Sequence, residues 1–453
     1  MSDAPWVTWL GDDFTGSAAV MEVLQFAGLP SVLFTDIPSP DLAARFAGCR
    51  GIGIATTARS HDPAWMARNL PPLLGWLDGL GAPILHYKIC STFDSAPESG
   101  SIGAAIEIGL RTRPARAVPL LTAAPQMRRY QAFGHLFAGT LDGVFRLDRH
   151  PVMSRHPVTP MSESDLLRHL AAQTDLPSAL IDLEGLADPQ AALRSALATG
   201  ARILSIDSME AASEAAAGRL IWENRAELGF VAGSQGVEYA LVRHWQDSGA
   251  SPRVDAPGAA ARAGRIAAVS GSVSPTTARQ LDWAGRNGFA LLPFDARAVT
   301  GSEADMAAEE RRLTGAAIAA AAAGQSPLVH SASGEGPQVE AYRVALARSG
   351  MDPATANRRI GVSLGRILDA TLRATGIRRA VISGGDTSGH GMRQLGLSAL
   401  VAKAPTISGA ALCQAFGSGL HDGLEIALKG GQMGSEDYFG WLRDGGGPRG
   451  KAA

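Results

Sequence analysis

Two α/β domains, each with a mainly parallel sheet flanked by helices and an active site in the interdomain cleft, are predicted by three features of the sequence. Short apolar runs alternate with amphipathic segments of helical spacing along most of the chain, the succession that builds βαβ units. The loops that leave several of those runs are rich in Gly, Ser, Thr and Asp, as ligand loops at strand ends are. One stretch, QDSGASPRVDAPGAAARAGR, interrupts the pattern within 453 residues, a length beyond what one hydrophobic core usually organises. The expected division is 1–246, then a linker over 247–265, then 266–453.

In the first domain Val7–Leu10 reads as a strand, Gly11–Gly16 as a loop and Ser17–Ala27 as a helix. Ser31–Thr35, Gly51–Thr57, Ile84–Cys90 and Ala117–Thr122 read as further buried strands, with helical patterns at Pro63–Leu80 and Ile102–Arg111. Leu180–Leu183, Ile203–Asp207 and Phe230–Ala232 continue the layer. In the second domain the strands are Ile266–Val269, Ala290–Pro293, Leu328–His330 and Ala380–Ser383. Helical patterns at Thr276–Gly285, Ala307–Ala323, Val339–Arg348 and Gly361–Ala374 lie between them. Leu412–Phe416 and Leu424–Lys429 read as a β-hairpin, because Leu424, Ile426 and Leu428 recur with period two.

Composition narrows the function. Hydrophobic residues at 46% and charged residues at 19% are ordinary for a globular chain. A net charge of −2 gives no global field to recruit nucleic acid or an anionic membrane. Cys49, Cys90 and Cys413 are too sparse for a disulfide framework or a zinc-ligand pattern. With no secretory leader pattern and no long apolar run, the expected compartment is the cytoplasm. Of the 41 basic Lys and Arg residues only Lys88, Lys403, Lys429 and Lys451 are lysine. Against such an arginine bias, a retained lysine marks a place for a compact ammonium.

Five segments carry candidate chemistry. Gly11-Asp12-Asp13-Phe14-Thr15-Gly16 leaves the first strand with two adjacent acids, suited to a polyhydroxylated ligand or a metal, where simple helix capping needs only one. His86 to Asp94 carries Lys88, Ser91 and Thr92 out of another strand toward a Gly- and Ser-rich helix start, a pattern suited to an anion. Ser270–Thr277 and Ser383–Gly389 are strand-to-helix loops whose small residues let backbone amides approach phosphate. Lys429-Gly430-Gly431 ends the hairpin. No GxxxxGK[ST], HExxH or EF-hand pattern occurs, and no GxSxG elbow supports a serine hydrolase.

Taken in this order, the motifs resemble the four-carbon acid sugar kinase family. Its A-D-D-L-T-G-A signature is matched by Gly11–Ser17, its K-x-x-S-T by Lys88–Thr92, and its G-S-x-S by Gly271–Ser274. Its G-G-D-T-S-G is matched by Gly384–Gly389, and its K-x-G-x-x-G by Lys429, Gly431 and Gly434. Where the family commonly reads D-S-T-L-R-G-N-I-G, this chain has Cys90 at the acid, no arginine at its place and a longer loop to Gly103.

The resemblance implies a sugar-acid-binding domain joined to a nucleotide-binding domain, with ATP and Mg²⁺ as cofactors. It implies phosphoryl transfer to a primary hydroxyl of a small sugar acid, 3-oxo-isoapionate being as open as 3-oxo-tetronate, threonate or erythronate. By this reading Ser272, Gly384, Gly385, Asp386, Thr387 and Gly430 hold ATP. Lys88 and Arg59 meet the acceptor carboxylate, Asp12 and Asp13 its hydroxyls, and Ser91 and Thr92 share that subsite. Lys88 and Asp386 are the expected catalytic residues, Asp386 as base or as a Mg²⁺-linked carboxylate, and no protein-only metal site is expected. The partners are then the sugar acid and ATP, with no nucleic acid or membrane, and the chain a possible homo-oligomer. The alternatives are a ligase that forms an acyl phosphate and a non-catalytic sugar-acid sensor.

Overall fold

The computed structural model describes residues 4–140, 142–155, 159–255, 257–331, 337–431 and 433–449, with the side chains of 337–339, 354 and 386 outside that description. The chain forms two compact units, Met1–Asp255 and Ala256–Ala453.

The first unit contains β1 (Val7–Gly11), β2 (Ser31–Phe34), β3 (Gly51–Ala55), β4 (Ile84–Lys88) and β5 (Val118–Leu121). It continues with β6 (Arg129–Ala132), β7 (His135–Thr140), β8 (Gly143–Arg146), β9 (Ser178–Ile181), β10 (Ile203–Ile206) and β11 (Phe230–Gly233). Eight of these form one sheet in the order β2-β3-β1-β4-β11-β5-β10-β9, with every neighbouring pair parallel. The central strands are buried on both faces, which is why they read as continuous apolar runs rather than alternating ones. Helices Phe14–Phe26, Pro63–Asp78 and Ile102–Thr112 start on Asp13, Asp62 and Ser101, each accepting a backbone N–H of the first turn. Trp245 is fully buried and meets Trp6 and Trp222 edge-on, each at 5.0 Å between ring centroids.

The strands β6, β7 and β8 form a separate antiparallel sheet inserted after β5. The sequence reading misses it, because Arg129-Tyr130-Gln131-Ala132 is polar and only half-buried. Helices Ala211–Glu223 and Gly236–Asp247 were likewise not expected.

The second unit contains β12 (Ala267–Ser270), β13 (Phe289–Pro293), β14 (Ser326–His330), β15 (Arg379–Ser383), β16 (Leu397–Ala404), β17 (Leu412–Gly417) and β18 (Glu425–Lys429). Their order is β13-β14-β12-β15-β18-β17-β16. The first five run parallel; β17 pairs antiparallel with β18 as the expected hairpin and with the unexpected β16. Leu281 of helix Pro275–Arg286 and Phe439 of helix Tyr438–Arg443 pack with Phe289, Leu328 and Val381 into one core. No helix among the described residues is long and apolar enough to cross a membrane.

Trp245→Ala empties the centre of the indole cluster and is expected to lower the stability of the first unit by about 3–5 kcal/mol. Urea unfolding followed by far-ultraviolet circular dichroism measures this; a loss below about 1 kcal/mol would mean the cluster is not a packing centre.

Candidate active site

In the first unit the carboxyl ends of β3, β1, β4 and β11 lie in register, with Ala55 beside Gly11, Gly11 beside Lys88 and Lys88 beside Gly233. The amide of Asp12 donates to Lys88 O at 3.0 Å, and that of Ile89 to Gly233 O at 2.8 Å. The loops that follow are therefore tied to neighbouring strands from their first residue.

Arg59, in the single turn Ala58–Ser60 after β3, is committed to both aspartates. Its Nε and Nη2 donate to the two oxygens of Asp12 at 3.1 and 2.7 Å, and its Nη1 to Asp13 Oδ2 at 3.0 Å. Asp13 also caps helix Phe14–Phe26, its Oδ1 accepting from the Gly16 amide at 2.8 Å. Capping and ion pairing thus share one carboxylate. Burial pushes the Asp12 carboxyl up, with the Arg59 guanidinium pulling it back. Burial also opposes the charge of Arg59, but the two carboxylates prevail and hold it well above its ordinary value.

Lys88 is buried, and its Nζ donates to Ile89 O at 2.5 Å. A Cβ on Gly16 would stand 2.5 Å from that ammonium, so the glycine is what lets Lys88 lie against the helix start. Asp12, Asp13, Arg59 and Lys88 together carry no net charge.

The segment from Cys90 to Gly103 is tied to the turn that carries Arg59, the Gly100 amide donating to His61 O at 2.8 Å. Cys90 Sγ lies 3.0 Å from Thr92 Oγ1, which donates to Asp94 Oδ1 at 2.8 Å. Burial pushes the Cys90 thiol up, away from the thiolate form. Ser91 is half-buried, whereas the Thr92 hydroxyl is taken by Asp94. Gln173 latches the segment, accepting from the Ile102 amide at 2.7 Å and donating to Ser95 Oγ at 2.9 Å. His169 adds a contact to Ser95 Oγ at 3.1 Å. Gln173 and His169 carry no motif signal, being some 70 residues away in sequence.

In the second unit one register row crosses the carboxyl edge of the sheet: His330, Ser270, Ser383 and Lys429 end β14, β12, β15 and β18 side by side. All four are buried. The hydroxyls of Ser270 and Ser383 have no hydrogen-bond partner among the described residues, an unusual state for buried polar groups. Gly384 takes φ = 125°, a conformation that favours glycine, and its amide donates to Lys429 O at 2.8 Å. Helix Gly385–Gln394 starts there.

Ser272 accepts from Thr277 Oγ1 at 2.9 Å, while Ser274 Oγ caps helix Pro275–Arg286 and donates to Gly431 O at 2.5 Å. The Ser270–Ser274 loop is thereby bound to the Lys429–Gly431 turn. Thr387 is buried beneath Gly271 and Gly384, and Gly385 faces open space. A Cβ on Gly430 would press on Met433 Sδ at 2.9 Å. The backbone of Asp386 is helical, but its side chain lies outside the described residues, as does Gln432. Among the described residues Lys429 Nζ donates to Gly430 O and Gly431 O, at 3.0 and 3.4 Å, and burial pushes its pKa down to about 8. A buried ammonium with no carboxylate partner among the described residues, beside two helix starts and a glycine at positive φ, could hold phosphate.

Residues 7–241 match a family model described as a sugar-binding N-terminal domain, and residues 267–439 one described as a nucleotide-binding C-terminal domain. The chain belongs to the four-carbon acid sugar kinase family. It is 45% identical over 444 residues to a 3-oxo-isoapionate kinase of Paraburkholderia graminis, covering 97% of this chain and 94% of the relative. It is 30% identical over 451 residues to a 3-oxo-tetronate kinase of Methylobacterium radiotolerans, covering 96% and 98%. A crystal structure from Salmonella typhimurium LT2, titled a putative tRNA synthase, superposes with a TM-score of 0.74 at 26% identity, covering 96% of this chain and 98% of that one. Members of this kinase family are phosphotransferases, and the two polar strand-end sites fall one in each matched domain.

Two predictions follow from the buried charges. Arg59→Gln leaves Asp12 buried beside Asp13 without its cation, and a destabilisation of about 3–5 kcal/mol is expected in urea unfolding; a change within about 0.5 kcal/mol would contradict the pairing. Folded Lys429 loses its proton near pH 8, whereas the unfolded chain keeps it to about 10.5. Between those values the unfolded state binds more protons, so a penalty of up to about 3 kcal/mol fades as pH rises. Without nucleotide, Lys429→Met should therefore stabilise the protein more at pH 7 than at pH 10, and a difference independent of pH would refute this.

Proposed function

We propose that this chain phosphorylates a primary hydroxyl of a small 3-oxo sugar acid at the expense of ATP, with the branched 3-oxo-isoapionate type as acceptor. The observation that carries the reading is Lys429, a buried cation with no carboxylate partner among the described residues, at the start of a glycine-lined turn. Lys429, the amides of Gly384 and Gly385, Ser272, Thr387 and Gly430 hold the nucleotide phosphates, and the free hydroxyls of Ser270 and Ser383 border them. Mg²⁺ arriving with the nucleotide would neutralise charge across the phosphates, and Asp386 is assigned either to hold it or to take the acceptor's proton.

In the first unit Asp12 and Asp13 accept hydrogen bonds from acceptor hydroxyls, oriented by Arg59, with Ser91 at the rim. Lys88 brings the positive charge that steadies the transferring phosphoryl group. Direct transfer needs little covalent chemistry from the protein beyond alignment, charge neutralisation and exclusion of water. The branched acceptor is favoured by the higher identity to the isoapionate kinase. The altered Cys90–Gly103 segment belongs to the same unit. The cytoplasm suits three free cysteines.

ADP release in the presence of Mg·ATP, measured across C4 and branched C5 acids and their 3-oxo forms, tests the assignment. The expected result is a kcat/KM for 3-oxo-isoapionate at least about tenfold above that for 3-oxo-tetronate, a difference of 1.4 kcal/mol. Preference for the tetronate would overturn the acceptor. A product trapped by hydroxylamine would indicate an acyl phosphate, and no ADP release with any acid would remove the kinase reading.

A further inference from the structure

Arg129 opens β6, just past the carboxyl end of β5, and its backbone exchanges both hydrogen bonds with Ala124, at 3.0 and 3.1 Å. In the sheet β5 neighbours β11, which neighbours β4. Two strand spacings, roughly 10 Å, therefore separate the strand that leads to Arg129 from the one that ends in Lys88. Both loops leave the same edge of the sheet.

The Arg129 guanidinium is held from one side only. Nη1 donates to the backbone carbonyls of Met127, Arg128 and Gly139 at 3.2, 3.3 and 3.2 Å. Among the described residues Nε is buried with no acceptor, Nη2 shows no hydrogen bond, and no carboxylate lies within ion-pair distance. Burial opposes its charge, and the fields of Cys90 and Asp94 reach it without cancelling that cost. Those two residues belong to the segment that follows Lys88 and is tied to the turn carrying Arg59.

The contrast with Arg59 is chemical. The Nε and Nη2 of a guanidinium form the edge that takes a carboxylate through two parallel hydrogen bonds. In Arg59 that edge is filled by Asp12. In Arg129 the same edge has no partner among the described residues, while three carbonyls fix the plane of the group. A ligand carboxylate competing for Arg59 must displace a protein carboxylate; at Arg129 it needs only the groups over Nε to part.

We propose that Arg129, not Arg59, receives the carboxylate of the acceptor and sets the preference for an acid over a neutral sugar. The assignment rests on the sugar-acid kinase reading and names the residue that selects its substrate class. Arg59 is then a positioning residue for Asp12 and Asp13.

The test compares wild type, Arg129→Gln and Arg129→Lys with 3-oxo-isoapionate and its carboxamide as acceptors. The KM of Arg129→Gln for the acid is expected to rise on the order of 10–100-fold, with the KM for ATP and turnover of the carboxamide unchanged. Arg129→Lys should recover part of the loss, and added guanidinium ion should do so in Arg129→Ala. Arg129→Gln with an unchanged acid preference overturns the proposal. So does equal loss of acid and carboxamide turnover while the fold melts as in wild type. If wild type turns over neither compound, the kinase reading fails separately, and calorimetric binding of the acid decides Arg129. Weaker binding to Arg129→Gln then supports the assignment, and equal or absent binding to both proteins overturns it.

Discussion

A positive charge buried at the end of a parallel strand is the constraint on which each unit's site depends. Lys88 ends β4 and Lys429 ends β18, and each ammonium donates to the carbonyl of the next residue. Burying an ammonium is costly unless an anion meets it. In the first unit the cost is offset within the protein, because Asp12 and Asp13 balance Lys88 and Arg59. In the second unit Lys429 donates to carbonyls and meets no carboxylate among the described residues, and burial pushes its pKa down to about 8.

This difference separates the two halves by chemistry. A neutral cluster with oriented carboxylates suits hydroxyls, which gain hydrogen bonds without adding charge. A cation beside two helix starts that no carboxylate among the described residues compensates suits phosphate, which adds negative charge. The glycines serve the same ends: Gly16 gives room to the Lys88 ammonium, and Gly384 takes a backbone angle that strains other residues. The hydroxyls of Ser274 and Thr277 then bind the Ser270–Thr277 loop to the Lys429–Gly431 turn.

Much of this was legible in the sequence. Strands buried on both faces read as apolar runs, and the hairpin of β17 and β18 showed in the alternation of Leu424, Ile426 and Leu428. The ligand loops stood out because small and acidic residues follow those runs directly. The insertion β6–β8 was not legible, since its polar strands are half-buried and carry no clean period. The latch of Gln173 and His169 escaped for another reason: it is a contact between distant segments, with no local pattern. The role of Arg59 also depends on geometry, because only its three hydrogen bonds to Asp12 and Asp13 show that it is already occupied.

The most direct measurement is the proton balance of ATP binding, taken by calorimetry at pH 8 in buffers of different ionisation enthalpy. If phosphate meets the buried ammonium of Lys429, the protein should take up about half a proton as ATP binds, and Lys429→Met should take up none. Binding without proton uptake, or the same uptake in Lys429→Met, would show that the phosphates bind elsewhere.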